Sequence, residues 1–191
     1  MNVKAIKNEK NLLLYQKLAH RHVGVRYPLS YLKTAKVFAS YDHEGTMTGG
    51  FVLQRNLEDI RVLKSISSKV TYSLRRPVEL TGVWFMPSTD PYFQRTLFWM
   101  HICIRLLPFL GGDTVFSYSS TQGALHKMYS VLKPRMLYQG WVDPLPGMSE
   151  GDHECVCSVS THRITFLIFL SPKTLLKKLF PRKITRQTIT P

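Results

Sequence analysis

The apolar residues of the first third of the chain change from helical to extended spacing. They recur at helical spacing in two segments, and they alternate with polar residues in the two runs that follow. Turn-forming residues, His43 to Gly45, separate the two extended runs. The pattern therefore predicts two helices, Glu9 to Arg21 and Leu29 to Thr34, and a β-hairpin of the strands Lys36 to Tyr41 and Met47 to Gln54.

Two further helices are predicted from the residues that would start them. Asn56 is a favourable N-cap for a helix from Leu57 to Ile66, because its side-chain oxygen can accept from free backbone donors. Asp90 followed by Pro91 is typical of a helix start, and this second helix is expected to end at Pro108. Apolar residues occupy most of its circumference, so we expect it to be buried against a sheet.

Strands and helices alternate through the second half of the chain. The pattern predicts strands from Val78 to Phe85, Asp113 to Tyr118 and Arg135 to Val142, with a helix from Gln122 to Leu132 before the last of these. A final strand is predicted from Glu154 to Leu170, with a break near His162. The chain is therefore expected to form one mixed α/β domain over residues 1–170.

The composition adds a strong positive charge to this picture. The 191 residues include 26 lysines and arginines against 12 acidic residues, which gives a net charge of +14, and 44% of them are hydrophobic. Such a field attracts acidic partners: an anionic membrane, an acidic protein, nucleic acid or a phosphorylated cofactor. A solvated basic surface explains the charge equally well. Nucleic acid is the least favoured partner, because no helix-turn-helix, zinc-finger or RNP-type motif supports it.

Residues 171–191 are expected to form a basic tail after the domain. Apolar residues can share one helical face there, with lysines beside it: Leu175, Leu176, Leu179 and Phe180, with Lys173, Lys177 and Lys178. Such a segment can lie on an anionic membrane surface, or it can dock onto the domain or a membrane-associated protein. The N-terminus lacks a secretory apolar region, and the longest apolar run, Phe166 to Leu170, is too short to span a bilayer. We expect a cytoplasmic protein, at most peripheral at the membrane.

The residue types that bind metals give no complete site. No second cysteine pair accompanies Cys155 and Cys157, and we expect these two and Cys103 to be reduced structural residues. A strand would place Cys155 and Cys157 on the same face. The run Asp152 to Glu154 has suitable side chains, but nothing completes a metal site around it. His101 lies in an apolar helix and is expected to be a core histidine.

The order of these elements resembles the GCN5-related N-acetyltransferase (GNAT) family. The local matches are Phe51 to Leu53 at the end of the hairpin, Glu79 to Phe85 as a central strand, and Leu125 to Tyr129 on a late helix. The resemblance implies a single mixed α/β domain with a central, mostly antiparallel sheet flanked by helices. It also implies transfer of an acyl group from a thioester to an amine, without a covalent enzyme intermediate.

The phosphate-binding glycines of that family are missing. The segment from Ser88 to Thr96 contains no glycine, Pro91 removes one amide donor, and Asp90 adds a negative charge. We therefore expect no tightly bound cofactor. The donor would be acyl-CoA or the phosphopantetheine arm of an acidic acyl carrier protein. The alternative is a non-catalytic GNAT-like module that binds an acidic or membrane-associated partner.

The resemblance implies a base and an acid. Glu79, on the central strand, corresponds to a general base, although pairing with Arg75 or Arg76 would also explain it. Tyr129 corresponds to the general acid that protonates the leaving thiolate, although a buried structural tyrosine would look the same. The sequence leaves these alternatives open.

The resemblance also implies residues that hold the donor. The backbone of Val83 and Phe85 would pair with the pantetheine arm, and Arg95 is a further donor-binding candidate. Ser119 and Ser120 would either contact the same arm or cap the helix that follows them.

Overall fold

A computed structural model of the protein describes residues 1–86, 91–121, 129–144, 147–148 and 150–170, with the backbone alone at 91–92 and 167–170. Seven strands form one sheet in the order β1-β2-β3-β4-β5-β7-β6. The strands are β1 (Asn2–Ile6), β2 (Lys36–Tyr41), β3 (Met47–Gln54), β4 (Val78–Phe85), β5 (Asp113–Ser119), β6 (Arg135–Val142) and β7 (Asp152–Ser160). Every neighbouring pair is antiparallel except β4 and β5, which are parallel.

Helices cover both faces of this sheet. They are α1 (Glu9–Val23), α2 (Leu29–Thr34), α3 (Arg61–Lys64), α4 (Pro91–Leu106) and α5 (Thr161–Leu170), with short 3₁₀ turns at Leu57–Asp59 and Leu107–Phe109. The mixed α/β fold with a mostly antiparallel sheet is thus confirmed. The predicted helix at 122–132 lies largely outside the described residues, and the predicted tail lies wholly outside them.

Three apolar clusters fix the helices to the sheet, and one of them lies beneath α3, around Val62, Leu63 and Val156. On one face α1 and α2 pack around Leu12, Tyr15 and Trp84. On the other face α4 and α5 pack around Phe98 and Ile102, in a cluster that also contains the three buried cysteines. Cys155 and Cys157 lie on the same face, as their spacing predicted. Burial of these apolar side chains holds α1 and α4 on opposite sides of β4.

Several predicted elements have the observed bounds, and one element was missed. Helix α2 and strands β2, β3 and β6 begin and end where the sequence predicted, and α1 extends two residues beyond Arg21. Strand β1 was not predicted. Its five residues bury only Val3 and Ile6 and leave Lys4 exposed at the edge of the sheet, so its pattern carries little signal.

The helix predicted from Leu57 to Ile66 is wrong. A 3₁₀ turn is followed by Ile60 in an extended conformation, and only then by the single turn α3. Asn56 does not cap a helix, since its amide donates to Asp59 over 3.0 Å. The break at Ile60 lets the first backbone N–H groups of α3 point at the carboxyl group of Glu79 on β4.

The last strand also differs from the prediction. Strand β7 ends at Ser160, and Thr161–Leu170 is the helix α5, in which the hydroxyl of Thr165 donates to the carbonyl of Thr161. A short apolar run fits a buried strand and a buried helix equally well, so periodicity could not separate them. Ile164 packs into the core beside α4.

Helix α4 is less buried than predicted. Phe98, Ile102 and Leu106 face the core, while Phe93 is 58% exposed and Ile104 41% exposed. His101 is half-buried, and burial together with the charge of Arg105 lowers its pKa. Among the described residues, no helix is long and apolar enough to cross a membrane.

Candidate active site

Strands β4 and β5 separate in the middle of the sheet. Their parallel pairing is limited to Val78 with Thr114 and Glu79 with Val115. Strand β5 nevertheless stays paired with β7 up to Ser119. Beyond Glu79 no described strand pairs with the β5-facing edge of β4, so backbone N–H and C=O groups there are available to a ligand.

A β-bulge bends β4 at the point where the strands separate. Thr81 pairs with Val52 and Trp84 with Gly50, so β4 has one more residue than β3 between these two pairs. Gly82 lies inside this bulge and has a φ of 60°. The hydroxyl of Tyr15 donates to the carbonyl of Gly82 over 2.7 Å. A Cβ atom at Gly82 would lie 2.5 Å from that hydroxyl oxygen. The position therefore requires glycine, both for its φ and for the contact with α1.

A cavity of about 630 Å³ occupies the opening between the two strands. Its wall is formed on one side by α3, the end of α1 and the segment that joins α1 to α2. Strands β4 and β5 and the start of β7 with the loop before it form the middle, and Trp99 of α4, Tyr129, Leu132 and Ile164 of α5 complete it. Four of the residues predicted to act on the substrates lie on this wall: Glu79, Val83, Ser119 and Tyr129. The structure thus brings the predicted base, the predicted acid and part of the predicted donor site together.

The other three predicted residues are not on the cavity wall. Phe85 stacks on Phe98 with their ring centroids 4.8 Å apart. Arg95 lies half-buried on α4. Ser120 donates from both its backbone N–H and its hydroxyl to the carbonyl of His153, at 2.7 and 2.8 Å, and so joins the end of β5 to β7.

Glu79 is a buried carboxyl group held by three donors. Its Oε2 accepts from the hydroxyl of Tyr31 and from the backbone N–H of Arg61, both at 3.0 Å, and its Oε1 lies 3.4 Å from the backbone N–H of Val62. Burial raises the pKa of Glu79 to about 7, although these donors and the Arg61 charge act in the opposite direction. The predicted pairing with Arg75 or Arg76 is wrong, since α2 and α3 supply these partners.

Arg61 is the cation whose charge lowers the pKa of this carboxyl group. Its guanidinium lies over the rings of Tyr27 and Tyr31, 4.9 and 5.7 Å from their centroids. Tyr27 in turn is hydrogen-bonded to Thr81 at 2.9 Å. These contacts hold Arg61 against the aromatic wall of the cavity. A carboxyl group with a pKa near 7 can accept a proton at neutral pH and release it again.

Tyr129 lies on the opposite side of the opening. Its ring stacks on Phe116 and Tyr118, with centroids 4.8 and 5.1 Å away. Burial raises the pKa of Tyr129 to about 12, with the charge of Tyr27 acting in the same direction. The hydroxyl is therefore protonated at neutral pH, and it can donate a hydrogen bond, and through it a proton, to a departing thiolate.

The sheet gives the cavity two chemically different sides. Glu79 faces α2 and α3, and so does Glu154, whose alternate neighbour Val156 packs beneath α3. Tyr118 and Tyr129 belong to the core beneath α4 and α5. One side thus carries the two carboxyl groups together with Arg61 and Tyr27, and the other carries Tyr118 and Tyr129, with the open edge of β4 between them.

Sequence reasoning missed Glu154, Arg61 and the bulge. Glu154 was considered only as a metal ligand, yet strand alternation already placed it on the face opposite Cys155 and Cys157, and it pairs there with Ser119 of β5. Gly82 inside an apolar strand is itself a signal for a bulge. Arg61 gave no local signal, because its role comes from the break at Ile60 before α3.

Solved structures share this fold. FeeM, an N-acyl amino acid synthase from uncultured soil microbes, is 8% identical with a TM-score of 0.57, over 85% of this chain and 92% of that chain. A Vibrio cholerae spermidine N-acetyltransferase, solved with CoA and spermine, is 8% identical with a TM-score of 0.54, over 85% and 96%. The IAA acetyltransferase from Bacillus cereus is 10% identical with a TM-score of 0.50, over 83% and 97%. No family model and no curated protein matches the sequence.

The chain therefore has the GNAT-like fold that its sequence predicted. At identities of 8 to 10%, the likeness shows the fold alone, and the chemistry depends on the residues that line the cavity.

Proposed function

We propose that the protein is an N-acyltransferase that moves an acyl group from a thioester to an amine. The observation that carries this proposal is the position of Glu79, a buried carboxyl group whose pKa is raised to about 7, at the point where β4 leaves β5. A buried ionisable group in a cavity, shifted towards neutral pH, is typical of a general base. The cavity gives room for the two substrates, the open edge of β4 can bind the donor, and Tyr129 can act as the acid.

The reaction uses the two sides of the cavity in sequence. The amine enters from the side of α2 and α3, and Glu79 accepts its proton directly or through a water molecule. The amine nitrogen then forms a bond to the thioester carbonyl carbon, and the C–S bond breaks. The leaving thiolate takes the proton of Tyr129, and the products are an amide and a free thiol. Glu79 loses the accepted proton to solvent, and the tyrosine is reprotonated from solvent, before the next turnover.

The open edge of β4 is the proposed binding site for the donor. The backbone around Val83 pairs with the amide groups of the pantetheine arm, and Ser119 contacts the arm from the β5 side. Phe85, Arg95 and Ser120 are proposed to act further from the thioester, because they lie off the cavity wall.

The donor is proposed to be an acylated carrier protein, with acyl-CoA as the second candidate. No glycine lies between Ser88 and Thr96 to bring backbone amides to a pyrophosphate. A carrier protein delivers its arm without that group. Its acidic surface also suits a net charge of +14, since complementary charge speeds association. The spermidine enzyme was solved with CoA, which supports acyl-CoA as a donor that this fold can bind.

A non-catalytic binding module is the second candidate function. The missing glycines favour it, because a protein that no longer catalyses acyl transfer does not need a site for the phosphates of the donor. Its partner would be acidic or associated with an anionic membrane, and the tail at 171–191 would contribute to the contact.

A direct assay separates the two functions. The purified protein is incubated with a mixture of primary amines and either an acylated carrier protein or acyl-CoA, and released thiol and new amide are quantified. Enzymatic transfer gives both products in equal amounts, and Glu79→Gln lowers the rate sharply. Association with an acidic partner, without turnover of any donor by the wild type, would support the binding module instead.

A further inference from the structure

The cavity is acidic although the protein is strongly basic. Four of the 12 acidic residues of the chain line it: Glu79, Glu150, Asp152 and Glu154. Of the chain's 26 lysines and arginines, Arg61 alone is placed on the wall by the described residues. A charge distribution opposite to that of the whole protein marks the cavity as a site for cations.

The carboxylates become more buried from the mouth inwards. Glu150 is exposed, Asp152 and Glu154 are half-buried, and Glu79 is fully buried. Asp152 and Glu154 are two residues apart on β7, so they share one face of the strand. Their carboxyl groups lie on the same side of the sheet as Glu79.

Glu154 is held inside the cavity wall rather than in solvent. The hydroxyl of Ser117 donates to its carboxylate. Burial first, and then repulsion by Asp152, raise the pKa of Glu154, while the Ser117 hydrogen bond and Arg61 lower it. A bound cation would relieve both the burial cost and the repulsion, so a ligand of positive charge fits this position best.

We propose that the acceptor is a primary amine with a second positive charge further along its chain, a diamine or polyamine, and that Glu154 binds this second ammonium group. The proposal rests on the proposed acyl transfer, in which Glu79 receives the proton of the reacting amine. Glu79 and Glu154 stand on the same side of the sheet with β5 between their strands. Glu79 pairs with Val115 and Glu154 with Ser119, four residues further along β5, so their backbones are about 16 Å apart. One extended acceptor can therefore meet both groups.

The surrounding groups discriminate against anionic acceptors. An amino acid would bring a carboxylate close to Glu154 and Asp152, with Arg61 as the single lysine or arginine on the described wall and His22 as the other basic side chain there. Arg61 is already packed over Tyr27 and Tyr31, which limits its movement towards a ligand.

Three acceptors of equal chain length test the proposal. Acyl transfer is measured with 1,5-diaminopentane, pentylamine and 5-aminopentanoate, which differ only in a positive, neutral or negative end. We expect kcat/KM to be at least tenfold higher for the diamine than for pentylamine, and lowest for the amino acid. Equal use of the diamine and pentylamine, or preference for the amino acid, would overturn the proposal.

Two variants assign the effect to Glu154. Glu154→Gln should raise KM for diaminopentane about tenfold while changing kcat/KM for pentylamine less than twofold. Glu44→Gln removes the same charge from the turn between β2 and β3, outside the cavity, and should change neither value. An equal loss with both acceptors in Glu154→Gln would show a structural role and contradict the proposal.

Calorimetry separates this proposal from the proposed function. If no acceptor is acylated with any thioester, acyl transfer fails, but binding of diaminopentane still reports on the cavity. Binding to the wild type that is weakened about tenfold in Glu154→Gln supports a cation site. Failure of the folded wild type to bind diaminopentane would exclude it.

Discussion

The hydroxyl of Tyr31 donates a 3.0 Å hydrogen bond to Oε2 of Glu79, and this contact joins α2 to the centre of the sheet. The same oxygen accepts from the first N–H group of α3. Two short helices therefore hold one carboxyl group at the end of the β4–β5 pairing, with its remaining lone pairs towards the cavity. The hydrogen bonds favour the ionised form and burial disfavours it, so the carboxyl group can titrate near neutral pH.

Replacement of the carboxyl group should remove catalysis and leave the fold intact. We expect Glu79→Gln to lower kcat/KM about 10²–10⁴-fold, as is usual for loss of a general base. Glutamine keeps an oxygen that can accept from Tyr31 and Arg61, so the circular dichroism spectrum should not change. Glu58→Gln, exposed in the 3₁₀ turn, is the control. Full activity in Glu79→Gln would remove this residue from the mechanism.

The activity should rise with pH around neutrality. The base must be ionised, and its pKa is about 7, so kcat/KM is expected to increase as pH passes through this value. Tyr31→Phe removes a hydrogen bond that favours the carboxylate, and so the inflection should move to higher pH. Comparison of the two profiles with the same acceptor cancels the titration of the substrate. An unchanged inflection in Tyr31→Phe would show that Glu79 does not control the profile.

Glu79 should also make stability depend on pH. Its pKa is raised from 4.5 to about 7, so the folded state holds this proton more tightly than the unfolded state does. The resulting stability is fully present below pH 4.5 and is lost as pH rises through 7. Glu79→Gln carries no such cost. The free energy of unfolding of the variant, minus that of the wild type, should therefore increase between pH 5 and 8, by as much as about 3 kcal/mol. A constant difference measured by urea unfolding would contradict the raised pKa.

Loss of the tyrosine hydroxyl should affect turnover far more than folding. Tyr129→Phe keeps the ring that stacks on Phe116 and Tyr118, and it removes only the proposed proton donor. We expect kcat to fall about 10²–10⁴-fold. The loss should be smaller with a thioester whose thiol is more acidic, since that leaving group needs less assistance. Equal activity of Tyr129→Phe and the wild type would exclude the hydroxyl as the acid.

The bulge should tolerate no side chain. Gly82→Ala places a Cβ atom 2.5 Å from the hydroxyl oxygen of Tyr15 and forces alanine into a positive φ. We expect a loss of about 2–4 kcal/mol in the free energy of unfolding. Gly24→Ala is a matched control, because its φ is 79° and nothing lies within 4 Å of the added atom, so it should cost only about 1 kcal/mol. Equal losses in the two variants would show that the contact with Tyr15 carries no energy.

Local sequence signals predicted much of the fold. Strands β2 and β3 have clear turn residues between them, and α2 follows a proline, so their bounds were readable from the sequence. The run after Ser160 has no such boundary, and its apolar residues fit a helix and a strand alike. Tertiary packing, in which Ile164 is buried beside α4, is what favours a helix over a strand in this segment.

Local sequence signals predicted only part of the candidate site. Glu79 and Tyr129 could be identified from their positions in the order of elements. The partners of Glu79 could not, because Tyr31 lies 48 residues away and the backbone of Arg61 18 residues away in the chain. Their approach depends on how α2 and α3 pack on the sheet, which no local pattern encodes.

Detection of an N-acylated amine by mass spectrometry is the most direct test of the account. The wild-type protein is supplied with an isotope-labelled acyl group, on a carrier protein or on CoA, and with diaminopentane. We predict that the label appears as an amide, that one thiol is released for each amide, and that Glu79→Gln forms the product at least 100-fold more slowly. Absence of labelled amide with every donor, or equal rates in the wild type and Glu79→Gln, would contradict the proposed acyl transfer through the opening between β4 and β5.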